Sequence, residues 1–274
     1  MLRKIRELTH RYAIISSLLI AVLCILLLNG TGLLFYPLPA SLPVGYVQEI
    51  FIMLYSVGFV LLLGYKSTLR FKGFFKGLLC SVVVIGFVFY SLGYFFYDAT
   101  TNPDKVWAST GMIIFGIVQV IGVGIREECF FRGAIQNVLA KKYACSVKGV
   151  WISALICSVL FGFTHITNLF TGYNPLVVLM QILSATGTGL FLCAVYLRSG
   201  NLWAVALIHA LIDLVALSKS IFLTQTRVEA VNSLGWESLF GMVIFVLPAI
   251  FLLRPSKSRE IVARFDEERQ KKLA

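Results

Sequence analysis

Charge is scarce in this 274-residue chain: Asp, Glu, Lys and Arg make up 14% of it, against 58% apolar residues. A soluble globular domain is about one-quarter charged. With a mean hydropathy of +0.87, the shortage argues against a soluble fold and for a polytopic membrane protein. The six cysteines form no CxxC pair and mostly sit inside apolar runs. They read as small core hydrophobes, not as a disulfide or redox framework. No H-E-x-x-H occurs, and Ser153 and Ser158 are not accompanied by Gly-x-Ser-Gly. Tyr97-Asp98 lacks a second aspartate in a Gly-x-Gly-Asp setting. These absences argue against zincin, serine and aspartyl intramembrane proteases. There is no solenoid-type repeat and no low-complexity segment. Histidine is limited to His10, His165 and His209, so the two in apolar surroundings are informative.

What is present is a series of apolar runs with basic punctuation. The runs predict an all-α membrane protein with about eight transmembrane helices, at 12–35, 44–65, 77–97, 105–140, 149–166, 176–197, 202–217 and 237–253. The first is read as a retained span, because a signal peptide has a shorter apolar core and a small-residue cleavage site. Turns are expected at Pro37, Pro39 and Pro43, at the Asn168, Gly172, Asn174, Pro175 cluster and at Arg198 to Asn201. The charged tail after Arg254 is expected to be helical. Cytoplasmic loops collect Lys and Arg. With both termini in the cytoplasm, nineteen of the 24 Lys and Arg fall on the inner side and three on the outer. This explains the net charge of +11 by topology and attraction to an anionic leaflet, with no need for nucleic acid. The chain divides into helices 1–3 at 1–105, a core at 106–219 and a last helix with its tail at 220–274.

The core carries ionisable groups inside apolar helices. Such groups are costly at membrane depth and mark functional sites. Glu127 lies 14 residues before Lys141, and His165 lies 16 residues after Gly149. At about 1.5 Å per residue both stand roughly 21 to 24 Å from their shared loop. Glu128 and Arg132 share a helix face at i,i+4, as do Phe161 and His165, and His209 and Asp213. Glu127 points about 100° away from Glu128 and is free to face a cavity. A buried, wet pocket opening toward the cytoplasmic half is expected. Glu128–Arg132 reads as a structural ion pair beside it, and Phe161 as packing. Arg126 has no assigned role. Glu49 reads as an interfacial group that snorkels or caps, and His10 as a solvated arm residue.

Three motifs in order, Glu127-Glu128-x-x-x-Arg132, Phe161-x-x-x-His165 and His209-x-x-x-Asp213, resemble the CAAX-protease and bacteriocin-processing (CPBP, or Abi) family of intramembrane peptidases. Gly133, Gln136, Gly162 and Leu202-Trp203 fit the same pattern, and the resemblance spans about 112–217. It implies a peptide-bond hydrolase with an eight-helix fold and an active site among helices 4, 5 and 7. Glu127 would be the general base, and His165 would help hold the water. His209, with the residue at 213, would stabilise the oxyanion. Glu128 and Arg132 would support them. The family carries Asn or another small polar residue at the last position, and this chain carries Asp213. An ionised Asp cannot donate to an oxyanion, so Asp213 is expected to orient and charge His209.

Two alternatives stay open. Glu127, His165 and His209 also have the composition of a catalytic zinc site, so a metal-free glutamate mechanism and a zinc mechanism use the same residues. A proton relay of a transporter, or a non-enzymatic immunity protein, would use similar groups. The expected partners are the bilayer and a membrane-associated peptide or lipidated protein. The relatives' roles suggest bacteriocin immunity or peptide maturation, and the short loops a bacterial plasma membrane.

Overall fold

The computed structural model describes residues 2–35, 42–232 and 237–270. In chain order the helices are α1 (Leu2–Arg11), α2 (Ala13–Phe35), α3 (Leu42–Leu62), α4 (Phe74–Cys80), α5 (Val82–Thr101), α6 (Thr110–Glu128), α7 (Asn137–Tyr143), α8 (Val147–Thr164), α9 (Pro175–Ser199), α10 (Leu202–Ala216), α11 (Ser218–Phe222), α12 (Arg227–Asn232), α13 (Glu237–Leu252) and α14 (Pro255–Gln270). A π-helical stretch, Cys129–Gln136, joins α6 to α7, and 3₁₀ turns occupy Lys66–Leu69 and His165–Phe170. Among the described residues there is no strand, only an isolated bridge between Trp107 and Leu223. Pro37 and Pro39 lie outside the described residues, and Pro43 sits within α3.

Pro43–Leu62, Val82–Thr101, Val147–Phe170 and Pro175–Ser199 are long and apolar enough to cross a membrane. That makes four among the described residues, or six if two bent pairs each count as one span. The apolar helix α10 is shorter, at 15 residues. The chain is a helical, multi-pass membrane protein. Two expected elements differ in detail. The third run is broken at Ser81, whose hydroxyl donates to the Gly77 carbonyl at 3.0 Å. The N-terminal arm is a helix that meets α2 at 110°. Its His10 is half-buried against Tyr65, ring on edge at 6.3 Å, and is not a solvated group.

The core helices start where the sequence supplies side-chain caps. Ser109, Ser146, Asn174 and Asn201 each accept a backbone N–H from the first turn of α6, α8, α9 and α10. Gly200 closes α9 in a left-handed conformation at φ 69°, which gives the tight turn expected there. Asn201 also donates to the carbonyls of Arg70 and Lys72, and the Trp203 indole donates to Leu69 at 2.7 Å. The start of α10 is thereby tied to the loop before α4. Phe130, Phe131, Ile135, Leu139, Phe191 and Leu192 are fully buried at the centre, while Leu19, Leu54, Phe75 and Leu79 point outward as lipid-facing groups do. α8 packs on α9, α9 on α13 and α6 on α10. The crossing of α8 and α9 needs a small residue. A Cβ on Gly189 would lie 3.2 Å from the Ser158 Cα and 3.1 Å from the Phe161 ring.

Candidate active site

The centre of the bundle is a cavity of about 610 Å³ lined by Glu127, Phe161, His165, His209 and Asp213. α6 supplies Glu127 at its penultimate position. His165 stands where α8 gives way to the 3₁₀ turn, and α10 supplies His209 and Asp213. The three motifs therefore meet in space. Glu128 and Arg132 do not line the cavity.

Glu128 is nevertheless joined to it. Its Oε1 accepts from Arg132 Nη1 at 2.6 Å and lies 2.7 Å from His209 Nδ1. Both members of the ion pair are fully buried. Arg132 Nη2 donates to the Gly189 carbonyl at 2.8 Å, and its guanidinium lies 4.7 Å from the centroid of the Phe161 ring. The imidazole is thus held through one nitrogen by a carboxylate that is itself fixed by a guanidinium. This is the usual way an imidazole's orientation and tautomer are set. His209 Nε2 is left between two carboxylates, 3.9 Å from Glu127 Oε2 and 3.7 Å from Asp213 Oδ2. Neither separation is a hydrogen bond. Asp213, expected to orient and charge His209, stands within ion-pair range of the ring without a hydrogen bond, and Glu128 holds the ring by a hydrogen bond from its other side. The sequence signal for this was the i,i+4 register of Glu128 with Arg132. It gave no sign of the His209 contact from another helix.

Phe161 packs edge-on against Phe131, His165 and His209, with ring centroids 5.0, 5.7 and 5.6 Å apart. It separates the two imidazoles from the buried cation behind it. A second ion pair borders the cavity: Arg126 Nη1 donates to Glu49 Oε2 at 2.7 Å, with side chains 15% and 10% exposed. This gives Arg126 the partner it lacked and shows that Glu49 is neither snorkelling nor capping. Their separation by 77 residues explains why spacing could not pair them.

The π-helix directly after Glu128 shapes this arrangement. A π-helix widens the ladder to i→i+5 and leaves carbonyls to be satisfied otherwise. Asn137 does so, donating to the carbonyls of Arg132 and Gly133 at 3.2 and 2.9 Å and to the Tyr196 hydroxyl at 2.7 Å. Gln136 donates to Ser153 Oγ at 3.2 Å, so Ser153 has a structural partner.

The cavity extends from Glu127 past Thr171, Tyr173, Leu217 and Arg227. These belong to the end of the bundle where α8 and α10 finish and α9 begins. No residue of the basic segments 66–76, 141–148 or 198–201 lines it. Among the described residues no group of three His, Cys, Asp or Glu is arranged to hold a metal ion, the set Glu127, His165 and His209 included.

No curated protein and no solved structure matches the chain. A family model described as type II CAAX prenyl endopeptidase Rce1-like does match, over residues 107–215. The matched stretch runs from the start of α6 to the end of α10 and includes every residue of the three motifs. That family is one of membrane endopeptidases and is the one the motifs resemble. Over its cavity-forming segment, 107–215, this chain is similar to the type II CAAX prenyl endopeptidase Rce1-like family.

Proposed function

We propose that the chain is an intramembrane endopeptidase that hydrolyses a peptide bond in a membrane-associated peptide or lipidated protein, with Glu127 as general base. One observation carries this reading: Glu127, His165, His209 and Asp213, from three separate helices, line one cavity. Glu127 removes a proton from water as the water oxygen bonds to the scissile carbonyl carbon. The carbonyl electrons move onto its oxygen. When the tetrahedral intermediate collapses, the C–N bond breaks and the proton on Glu127 goes to the leaving amine. His165 holds the water. His209 Nε2 faces the oxyanion. With Nδ1–H committed to Glu128, Nε2 carries a proton only in the imidazolium, which donates at both nitrogens. Asp213 is then the counter-ion on the cavity side. Donors fixed in advance count most where water is scarce.

The residues act without a metal in this reading, with 106–219 as the catalytic core. The eight apolar runs cross the membrane, both termini lie in the cytoplasm, and the membrane is a bacterial plasma membrane. The role is maturation of a peptide or immunity to a bacteriocin. The test is a fluorogenic peptide, offered to purified protein in proteoliposomes with and without a chelator. Cleavage unaffected by the chelator is expected. Cleavage abolished by the chelator and restored by zinc would replace the metal-free mechanism. No cleavage of any membrane-associated peptide would replace the enzyme with a binding or transport protein.

A further inference from the structure

One end of the bundle gathers cations. Arg6 donates to the Leu62 carbonyl at 2.9 Å, Lys141 Nζ lies 4.0 Å from the centroid of the Tyr65 ring, Arg198 pairs with Glu260 at 2.8 Å, and Arg269 donates to the carbonyls of Lys141 and Ala144. α1 belongs to this basic end, fixed there by Arg6 and by the edge-on contact of His10 with Tyr65. It meets α2 at 110°. With the apolar α2 entering the bilayer, α1 lies close to the plane of the membrane, at its surface.

At about 100° per residue, the side chains of α1 fall into three strips. Arg6 and His10 face the bundle through the contacts just given. Ile5, Leu8 and Tyr12 form an exposed apolar strip that runs on to the bend. Lys4, Glu7 and Arg11 form an exposed polar strip. Within it the helical spacing puts Lys4 and Arg11 on the edge beside Leu8, and Glu7 on the far edge. A helix so patterned rests in the interface, with its apolar strip against acyl chains and its cations among headgroups. The bend adds a shaped surface. Ile15 and Leu19 of α2 carry the apolar strip around the corner and, with Ile5, Leu8 and Tyr12, line a concavity of about 450 Å³. The Arg11 guanidinium stands 5.4 Å from the centroid of the Tyr12 ring, which places a cation at its rim.

We infer that the corner between α1 and α2 is a binding site for an anionic phospholipid of the bilayer. An acyl chain fills the concavity, and the phosphate meets Lys4 and Arg11. A zwitterionic lipid offers the same chain without the net negative charge those two cations match. A second copy of the chain docked on this face about a two-fold axis would set Lys4 and Arg11 against their own counterparts, which is repulsive. The site does not depend on the peptidase reading.

The test is native mass spectrometry of the purified full chain in neutral detergent, titrated with phosphatidylglycerol or with phosphatidylcholine of the same acyl chains. Wild type is expected to retain phosphatidylglycerol in preference to phosphatidylcholine. The double variant Lys4→Gln with Arg11→Gln should bind phosphatidylglycerol roughly 30-fold more weakly, the effect of losing two cations at an anionic surface. Both residues are exposed, so the fold should persist, and an unchanged thermal midpoint checks that. Lys4→Arg with Arg11→Lys should bind as wild type does. Lys66→Gln with Lys72→Gln removes the same charge from exposed positions outside the corner and should also leave binding unchanged. Leu8→Asn should weaken binding of the lipid through the acyl contact alone. Equal retention of the two lipids by wild type overturns the inference, as does full binding by the Lys4, Arg11 double Gln variant. An equal loss in the Lys66, Lys72 variant would reduce the effect to diffuse attraction and overturn the site. A wild-type dimer that Leu8→Arg converts to monomer would assign the corner to a second copy instead.

Discussion

Two glutamates adjacent in sequence have opposite surroundings. Glu127 faces the cavity, whereas Glu128 is fully buried between Arg132 and His209. Their substitutions should differ accordingly. Glu128→Ala leaves the Arg132 charge buried without its partner, a loss of about 3–5 kcal/mol, and should appear as a lowered thermal midpoint in detergent. Glu128→Gln keeps the volume and an acceptor oxygen. It also removes the charge opposite Arg132, so it should lower the thermal midpoint less than Glu128→Ala does, and it should lower kcat because His209 loses the carboxylate that fixes it. Removing one aligned donor from an oxyanion costs about 100- to 1,000-fold in rate. Asp213→Asn should keep most of the activity, since Asp213 does not hold the ring. Loss of activity in Asp213→Asn as complete as in Glu128→Gln would show that the wrong carboxylate has been assigned to His209. Peptide cleavage rates of the three variants decide this.

At the scale of elements, the helix register explains both what could be read from sequence and what could not. Apolar periodicity located α8, α9 and α10 within a few residues, and Asn174-Pro175 and Gly200-Asn201 marked the breaks between them. The i,i+4 spacing gave the Glu128–Arg132 contact because both residues lie on one helix. Contacts between helices distant in sequence left no such signal, so Glu49–Arg126 and Glu128–His209 were not legible. The π-helix was also hidden, because periodicity does not distinguish i→i+4 from i→i+5 over eight residues. Asn137 holds that segment. Asn137→Ala removes the donor for two backbone carbonyls and the Tyr196 hydroxyl, with an expected loss of about 1–3 kcal/mol. Hydrogen exchange should rise in the π-helix and α7 and remain unchanged in α13. A variant with wild-type exchange in the π-helix would remove Asn137 from this role.

At the scale of the whole molecule, the chain is a membrane bundle with one basic end. α14 is anchored there by Arg198–Glu260 and by Arg264, which donates to the Leu197 carbonyl at 2.9 Å. Hydrogen bonds from Lys257 and then Arg198 hold the Glu260 carboxyl down at about 2. Its ordinary value is about 4.3. The folded value is depressed, so this contribution to α14 docking is fully present above pH of about 4.3 and is lost as pH falls toward about 2. Limited proteolysis of the tail should therefore stay constant from neutral pH down to that range and increase below it. Glu260→Gln should remove the pH dependence. Composition and charge asymmetry were sufficient to read membrane embedding and the basic end. The full lining of the cavity was not, because it depends on which residues of α9 and of the turn before it face inward.

The central claim is that one carboxylate, Glu127, activates water. The most direct measurement is single-turnover cleavage of a membrane-associated peptide by Glu127→Gln in proteoliposomes, with helical content and thermal midpoint compared with wild type. An unchanged fold and a rate lower by about 100- to 10,000-fold, the contribution of a general base, are predicted. Cleavage at the wild-type rate by the folded Gln variant would contradict the account.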